Sequence, residues 1–234
     1  MRVVVLGATG ATGRLAVKQL LNAGCEVIAL VRSTDVLAEH PSLTQLTKTA
    51  LTIEESELKS ILAKSDAAIC CLGHNLTLQG VYGVPRMLVR DSIKRLADSI
   101  TAERSRPFKL ALMSSTGVCN REAGEKVTSK EKAVVTLLRW LLPPHRDNEQ
   151  AAKLLQRMGT KNKPLEWVIV RPDTLLDQSE VSEYQWNASP TRSALFDAGE
   201  TSRINVANAL CRLVMEEELW QKWRGQTPVI YNQV

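Results

Sequence analysis

Apolar and polar positions along the chain follow two alternating patterns. Short runs of apolar, often β-branched residues, such as Val3–Leu6 and Val27–Val31, alternate with longer stretches in which apolar residues recur at helical spacing. The first run is unbroken and ends at Gly7, which is typical of a strand covered on both faces. Alternating strands and helices predict parallel strands joined by right-handed crossovers. The predicted fold class is therefore α/β, a doubly wound and mostly parallel sheet with helices on both faces.

The same pattern predicts where each element begins and ends. Thr52 and Glu55 have the spacing of a capping box and should start the second helix, and Pro143-Pro144 should end the helix before them. No linker divides the chain, so residues 1–234 are interpreted as one domain, with an irregular, polar, substrate-side segment at 173–202. The predicted strands are 3–6, 27–31, 43–51, 67–72, 110–113, 167–170 and 229–231. The predicted helices are 11–22, 52–62, 85–100, 130–142, 147–158 and 205–218.

Composition narrows the expected partners and location. The 234 residues are 44% hydrophobic and 24% charged with a net charge of +5, and because Lys and Arg are scattered, neither nucleic acid nor a membrane is expected as a partner. The five cysteines form no C-x-x-C pair, and the first strand begins almost at Met1, so a cytoplasmic location is expected. We expect a small-molecule substrate. The helical segments at 85–100 and 130–158 fit either a homodimer interface or packing on their own sheet.

The clearest motif is the glycine-rich turn G-A-T-G-A-T-G at 7–13, between the first strand and the first helix. In this context the motif predicts a dinucleotide-binding site, and a turn without a ligand is the alternative. Gly7 allows a tight turn, Gly10 lets the backbone approach a pyrophosphate, and Gly13 allows close packing of helix and strand. The helix start adds free amides and a positive dipole end. The other predicted cofactor contacts of this turn are Thr9, Ala11 and Thr12.

A second signal is Arg32, directly after the second strand. A carboxylate at this place binds the ribose hydroxyls of NAD, whereas an arginine accommodates the 2′-phosphate of NADP. Ser33 and Thr34 can also donate hydrogen bonds to that phosphate. Asp35 complicates the choice, and a solvated surface arginine is the alternative interpretation. The sequence therefore predicts NADP(H) in preference to NAD(H).

Beyond these signals, five stretches of the chain resemble the atypical short-chain dehydrogenase/reductase family. They are V-L-G-A-T-G-A-T-G-R at 5–14, A-L-V-R at 29–32, S-D-A-A-I-C-C-L-G at 65–73, L-M-S-S-T-G-V at 112–118 and W-V-I-V-R-P at 167–172. They follow the family's order and span nearly the whole chain. The sequence is most similar to the NmrA-like and biliverdin- and flavin-reductase-like branch. The resemblance implies an NAD(P)-binding Rossmann fold.

The resemblance also implies cofactor contacts at matching positions, and it shows one departure. Most reductases of the larger family use a Tyr-x-x-x-Lys pair, in which the tyrosine delivers the proton that accompanies hydride transfer. The equivalent stretch here, 143–149, contains neither residue, and no metal site is predicted. The implied contacts are Leu72 and Gly73 for the ribose, Ser114 and Ser115 for the nicotinamide, and Pro172 to Thr174 for its carboxamide.

Ser115 and His145 are the candidates for the remaining chemistry. Ser115 matches the family's active-site serine, whose hydroxyl can polarise a carbonyl; a hydroxyl that satisfies backbone at a strand end is the alternative. His145 lies where the pair is missing and can act as acid or base near neutral pH, although it also fits a loop histidine in solvent. The predicted function is an NADPH-dependent oxidoreductase of a small conjugated or carbonyl acceptor, such as a flavin, quinone or tetrapyrrole. The alternative is a non-catalytic NADP(H) sensor of NmrA-like type.

Overall fold

The computed structural model describes most of the chain and contains ten strands and six helices in the part described. The described residues are 1–33, 37–74, 83–101, 104–120, 124–125, 143–159, 164–193 and 196–233. The strands are β1 (Arg2–Leu6), β2 (Glu26–Leu30), β3 (Leu43–Leu46), β4 (Ala67–Cys70), β5 (Phe108–Met113), β6 (Leu165–Pro172), β7 (Thr174–Leu176), β8 (Tyr184–Asn187), β9 (Glu200–Ser202) and β10 (Val229–Asn232). The helices are α1 (Ala11–Asn22), α2 (Glu55–Ala63), α3 (Leu88–Asp98), α4 (Pro143–Met158), α5 (Arg203–Met215) and α6 (Glu217–Trp223).

Eight of these strands form one twisted sheet in the order β3-β2-β1-β4-β5-β6-β10-β8. Every pairing in this sheet is parallel except that of β8 with β10. The predicted doubly wound, mostly parallel sheet is therefore confirmed. The strand order reverses between β1 and β4, and in open α/β sheets ligands bind outside the carboxyl ends of the strands at such a switch point.

The sheet separates two apolar cores, as expected when both of its faces are covered by helices. Val3 and Val5 of β1 face the core that α1, α5 and α6 cover. Val4 and Leu6 face the opposite core, which α2, α3 and α4 cover. Each fully buried side chain of this size stabilises the fold by roughly 1.5–3 kcal/mol relative to exposure. The unbroken apolar run in the sequence thus follows from burial on both faces.

Two predicted elements on the β3 side of the sheet are shorter than their patterns indicated. The strand predicted at 43–51 ends at Leu46. Helix α2 begins at Glu55 after the N-cap Glu54, and Thr52 does not cap it, so the predicted capping box is wrong. The Thr52 hydroxyl instead accepts a hydrogen bond from the Thr49 amide at 2.9 Å and closes a turn before the helix.

The second half of the chain brings further corrections. The two prolines at 143–144 start α4 rather than only ending a helix, because proline lacks an amide hydrogen and fits a first helical turn. The helix predicted at 130–142 lies outside the described residues. The segment predicted to be irregular, 173–202, contains three short strands, β7, β8 and β9. The helix predicted at 205–218 is divided at Glu216 into α5 and α6.

Candidate functional site

Close backbone packing accounts for two of the three glycines in the turn between β1 and α1. Gly7 has a φ of +75°, and a Cβ there would lie 2.7 Å from the Cys71 carbonyl carbon and oxygen. A Cβ on Gly13 would overlap the Gly7 carbonyl oxygen. Gly10 is exposed, and its amide donates to the same oxygen at 3.0 Å. Gly7 and Gly13 therefore let the end of β1, the start of α1 and the segment after β4 come into contact. The outer side of the turn, at Gly10, stays open.

The start of α1 offers uncapped amides at this open side. Its N-cap residue, Gly10, provides no side-chain hydrogen bond, and the exposed Ala11 begins a first turn without acidic residues. The first amides and the positive dipole end thus suit an anion. Thr12 is 5% exposed and Thr9 is half-buried, so Thr9 has the more accessible hydroxyl. The Arg14 guanidinium donates to the Thr9 carbonyl oxygen at 3.1 Å and adds positive charge beside the turn.

Arg32 and Ser33 lie at the carboxyl end of β2, the strand next to β1. Both are exposed, whereas Thr34 and Asp35 lie outside the described residues. An exposed guanidinium at this edge can bind a phosphate carried on the adenosine side of a dinucleotide.

The segment after β4 borders the glycine turn from the other side. β4 ends at Cys70, so Leu72 and Gly73 lie in an extended connection beyond the strand, with Leu72 half-buried and Gly73 exposed. The Leu72 amide nitrogen would lie 2.8 Å from a Cβ on Gly7. Both implied ribose contacts therefore lie at or beside the switch point between β1 and β4.

The carboxyl ends of β5 and β6 carry the residues implied at the nicotinamide end. Ser114 is 8% exposed, its amide donates to the Val170 carbonyl oxygen at 2.8 Å, and its buried hydroxyl finds no hydrogen-bond partner among the described residues. Pro172 is buried and accepts a hydrogen bond from the Thr116 amide at 3.0 Å. Thr174 is exposed at the start of β7. An unsatisfied buried hydroxyl at this edge indicates room for a polar ligand group.

Ser115 and His145 both lie beside Gly117. A Cβ on Gly117 would lie 3.4 Å from the Ser115 hydroxyl oxygen and 3.3 Å and 3.6 Å from Cε1 and Nδ1 of His145. Both side chains are half-buried, and His145 lies in the first turn of α4 rather than in a loop. The structure therefore places beside one glycine two residues that the sequence offered separately, and a side chain at Gly117 would contact both.

A buried pair formed by His74 and Asp147 ties the first turn of α4, which carries His145, to the segment after β4. His74 Nε2 lies 2.9 Å from Asp147 Oδ2, with side chains 5% and 0% exposed. The Asp147 carboxylate also accepts hydrogen bonds from the amides of Val89 at 2.8 Å and Arg90 at 2.9 Å, at the start of α3. The sequence placed His74 after the fourth predicted strand, at the edge of the sheet where ligands bind, but it gave no sign of the partner Asp147.

A second buried pair, Arg171–Glu125, holds the segment that follows Ser115. Arg171 is 1% exposed and contacts both Glu125 carboxylate oxygens, at 2.5 and 2.9 Å. Its guanidinium also donates to the carbonyl oxygens of Val118 at 2.9 Å and Thr227 at 2.8 Å. The Val118 amide in turn donates to the Ser115 carbonyl oxygen at 3.0 Å. The turn that carries Ser115 is thus tied to β6.

Burial also shapes the chemistry of nearby titratable groups. Desolvation raises the pKa of the Cys70 thiol to about 12 and that of Cys71 well above its ordinary value, so both are poor nucleophiles. Burial likewise raises the pKa of Asp173, although hydrogen bonds from the Gly199 amide and the Thr116 side chain partly oppose the shift. Asp173 directly follows Pro172, so it places a half-buried carboxyl at the same edge of the sheet.

The described residues show neither a metal site nor a membrane-spanning helix. They contain no group of histidine, cysteine, aspartate and glutamate side chains arranged to hold a metal ion. In the same residues no helix is both long enough and apolar enough to span a membrane.

The family model for NAD(P)H-binding proteins matches residues 7–217, a range that includes every site residue named above. The chain belongs to the NAD(P)H-binding family. This membership agrees with the resemblance to atypical short-chain dehydrogenase/reductases and with the glycine turn. No curated protein matches the sequence.

Solved structures similar to this NAD(P)H-binding protein share its fold at low sequence identity. A short-chain dehydrogenase/reductase from Veillonella parvula in complex with NADP has a TM-score of 0.70 and 14% identity, over 99% of this chain and 94% of that one. ChuY, an anaerobillin reductase from Escherichia coli O157:H7, has a TM-score of 0.68 and 17% identity, over 99% and 97%. The oxidoreductase YlbE from Lactococcus lactis has a TM-score of 0.68 and 16% identity, over 100% and 91%.

The residues present fit a nicotinamide dinucleotide. The open side of the turn at Gly10 and the uncapped start of α1 suit a pyrophosphate, and the orphaned Ser114 hydroxyl suits a polar group at the far end of the site. Both features lie at the carboxyl edge of the sheet, on either side of the switch point. The candidate NAD(P)H-binding site therefore runs from the β2 end to the β6 end of this edge.

Proposed function

We propose that this protein is an NADPH-dependent oxidoreductase that reduces a small conjugated or carbonyl acceptor, with Ser115 and His145 as its catalytic residues. The observation that carries the proposal is that the Ser115 hydroxyl and the His145 imidazole both lie beside Gly117, 3.4 and 3.3 Å from the position that a Cβ would occupy there. That pair lies beside Ser114, at the end of the edge where a nicotinamide would be bound. A serine and an imidazole beside a hydride donor are sufficient groups for carbonyl reduction.

The choice of NADPH over NADH rests on Arg32 and Ser33. Their side chains are exposed at the end of β2, where the guanidinium would hold the 2′-phosphate by charge-assisted hydrogen bonds. Gly10 and Ala11 would offer backbone amides to the pyrophosphate, and the Ser114 hydroxyl would contact the nicotinamide side. When bound, NADPH supplies the hydride for the two-electron reduction.

The protein's own residues would supply the other parts of the reaction. The Ser115 hydroxyl donates a hydrogen bond to the acceptor oxygen and stabilises negative charge that develops there. His145, in its imidazolium form, then gives its proton to that oxygen and is left neutral. Hydride and proton together complete the reduction, and His145 takes up a new proton from solvent. This arrangement replaces the tyrosine and lysine that are missing from 143–149.

The proposed acceptor is a small conjugated or carbonyl compound. Flavins, quinones, linear tetrapyrroles and aldehydes form the panel to test. The structural similarity to an anaerobillin reductase supports including a bilin in that panel.

The test measures NADPH oxidation with this panel for the wild type and for Ser115→Ala and His145→Ala. We expect steady turnover of at least one acceptor, a loss of about 10²–10³-fold in kcat for Ser115→Ala and of at least about 10²-fold for His145→Ala. His40→Ala is the matched control, because His40 is exposed and hydrogen-bonds only locally, accepting from the Ser42 amide. It should keep the wild-type rate.

The outcomes separate the two functions that the sequence left open. Tight NADPH binding without oxidation of any acceptor would support the NADP(H) sensor and refute the reductase. Wild-type turnover in both Ser115→Ala and His145→Ala would show that other residues carry out the catalysis. Failure to bind either dinucleotide would refute both functions.

A further inference from the structure

The first turn of α4 is held by a buried carboxylate. The body of α4 packs against α3 through buried residues that include Ala151 and Leu155. Its first turn follows directly on residues outside the described part of the chain. There the fully buried Asp147, two residues after His145, reaches out of the helix to two other elements.

Three hydrogen bonds end on the Asp147 carboxylate. Two come from the amides of Val89 and Arg90 in the first turn of α3. Met87, the N-cap residue of α3, provides no side-chain bond, so Asp147 takes the place of that cap. The third comes from His74, in the segment after β4 that also holds Gly73. Because a carboxylate only accepts, His74 Nε2 carries the proton of this bond.

We infer that Asp147 is a positioning residue, which joins the segment after β4, the start of α3 and the first turn of α4 and thereby holds His145 beside Ser115. The inference rests on the proposed function for its catalytic meaning. The claim that Asp147 holds the first turn of α4 does not depend on the proposed function, because the three hydrogen bonds are present whether or not His145 is catalytic. A group placed about 1 Å wrongly can lose about 10²-fold in rate, so such a device would matter for catalysis.

The test uses the fact that the chain has only three histidines, His40, His74 and His145. Imidazole NMR signals of the full-length protein are assigned by removing each histidine in turn. In Asp147→Asn, we expect the His74 and His145 signals to move and the His40 signal to stay. The side-chain amide of asparagine cannot accept from all three donors, so the turn should loosen. A movement of the His74 signal alone would overturn the inference.

Asp91→Asn is the matched control. Asp91 also lies in the first turn of α3, and its carboxylate is paired with Arg90 in an exposed ion pair with both side chains 39% exposed. The same chemical change there removes a charge near α3 without touching α4. The His145 signal should therefore stay at its wild-type position in Asp91→Asn.

Kinetics distinguish positioning from a general loss of stability. We expect Asp147→Asn to lower kcat about 100-fold, and the double variant with His145→Ala to be no slower than His145→Ala alone. Fully multiplicative losses would overturn the inference. If His145→Ala keeps wild-type turnover, the proposed role of His145 fails, while the NMR result still decides whether Asp147 holds that turn.

A milder pair of substitutions covers the case in which Asp147→Asn does not fold. His74→Ala removes one of the three bonds and keeps the two from α3. His74→Gln restores a side-chain donor at this position. We expect the His145 signal to move in His74→Ala and to return towards its wild-type position in His74→Gln; an unchanged signal in His74→Ala would overturn the link through His74.

Discussion

Substituting Glu125 with alanine would leave the Arg171 guanidinium buried without its counter-charge. Arg171 is 1% exposed, and two of the four hydrogen bonds that its guanidinium makes with described residues end on Glu125. After the change, its acceptors would be the uncharged carbonyl oxygens of Val118 and Thr227. Breaking a buried ion pair from one side costs about 3–5 kcal/mol. We expect the free energy of unfolding of Glu125→Ala to fall by this amount.

The loss can be measured by urea and thermal unfolding. For a domain of this size, 1 kcal/mol corresponds to about 2–4 °C in Tm, so Tm should fall by about 6–20 °C. Asp197→Ala is the matched control, because it breaks an ion pair with Arg192 whose side chains are 47% and 62% exposed. That variant should remain within about 1 kcal/mol of the wild type.

A paired substitution separates the cost of the lone charge from the cost of lost packing. Arg171→Met combined with Glu125→Leu removes both charges and keeps apolar volume, so it should be clearly more stable than Glu125→Ala alone. The reasoning from burial would be refuted if Glu125→Ala were as stable as Asp197→Ala. It would also be refuted if the paired variant were no better than the single one.

Three further predictions concern the cofactor site and the core. Arg32→Ala should weaken NADPH binding about 10- to 150-fold and leave NADH binding unchanged in calorimetry; equal losses for both would show that Arg32 does not read the 2′-phosphate. Gly13→Ala should destabilise the fold by about 1–3 kcal/mol and abolish dinucleotide binding, because its Cβ would overlap the Gly7 carbonyl oxygen; wild-type binding and urea midpoint would contradict this. Burial raises the pKa of the Cys70 and Cys211 thiols to about 12. As the pH rises, these thiols therefore ionise in the unfolded chain before they ionise in the folded protein. The free energy of unfolding should be at its full value below about pH 9 and should fall above it. Urea midpoints between about pH 8 and 10.5 should decline less steeply in Cys211→Ala, and equal slopes would refute the assignment.

The parts of the fold that were predictable from sequence are those fixed by local pattern. An unbroken apolar run followed by glycines and a helical pattern is typical of a strand, a tight turn and a helix. Accordingly, β1, α1 and the glycine turn between them have the predicted bounds within one residue. Arg32, Leu72 and Ser114 were placed at strand ends, and parallel strands bring their carboxyl ends to one edge. Their common location then follows from the fold class alone.

Segments with weak patterns were predicted less well. Thr52 and Glu55 have capping spacing, but the Thr52 hydroxyl bonds to the Thr49 amide, because a threonine near a turn has several backbone partners within reach. The strands β7, β8 and β9 are only three or four residues long, and they form by pairing with strands far away in sequence. Such pairing leaves little trace in the residues themselves.

The position of His145 shows most clearly what the sequence could not provide. Proline ends a helix when it follows one and starts a helix when it stands in the first turn, and the pair at 143–144 fits both rules. If the prolines ended a helix, His145 would lie in a loop. Because they start one, His145 lies in the first turn of α4, two residues before the buried Asp147. What favours the second arrangement is long-range: the Asp147 carboxylate meets His74 and the first amides of α3, far away in sequence. The position of the proposed catalytic pair therefore depends on contacts between elements, whereas the glycine turn depends on one local motif.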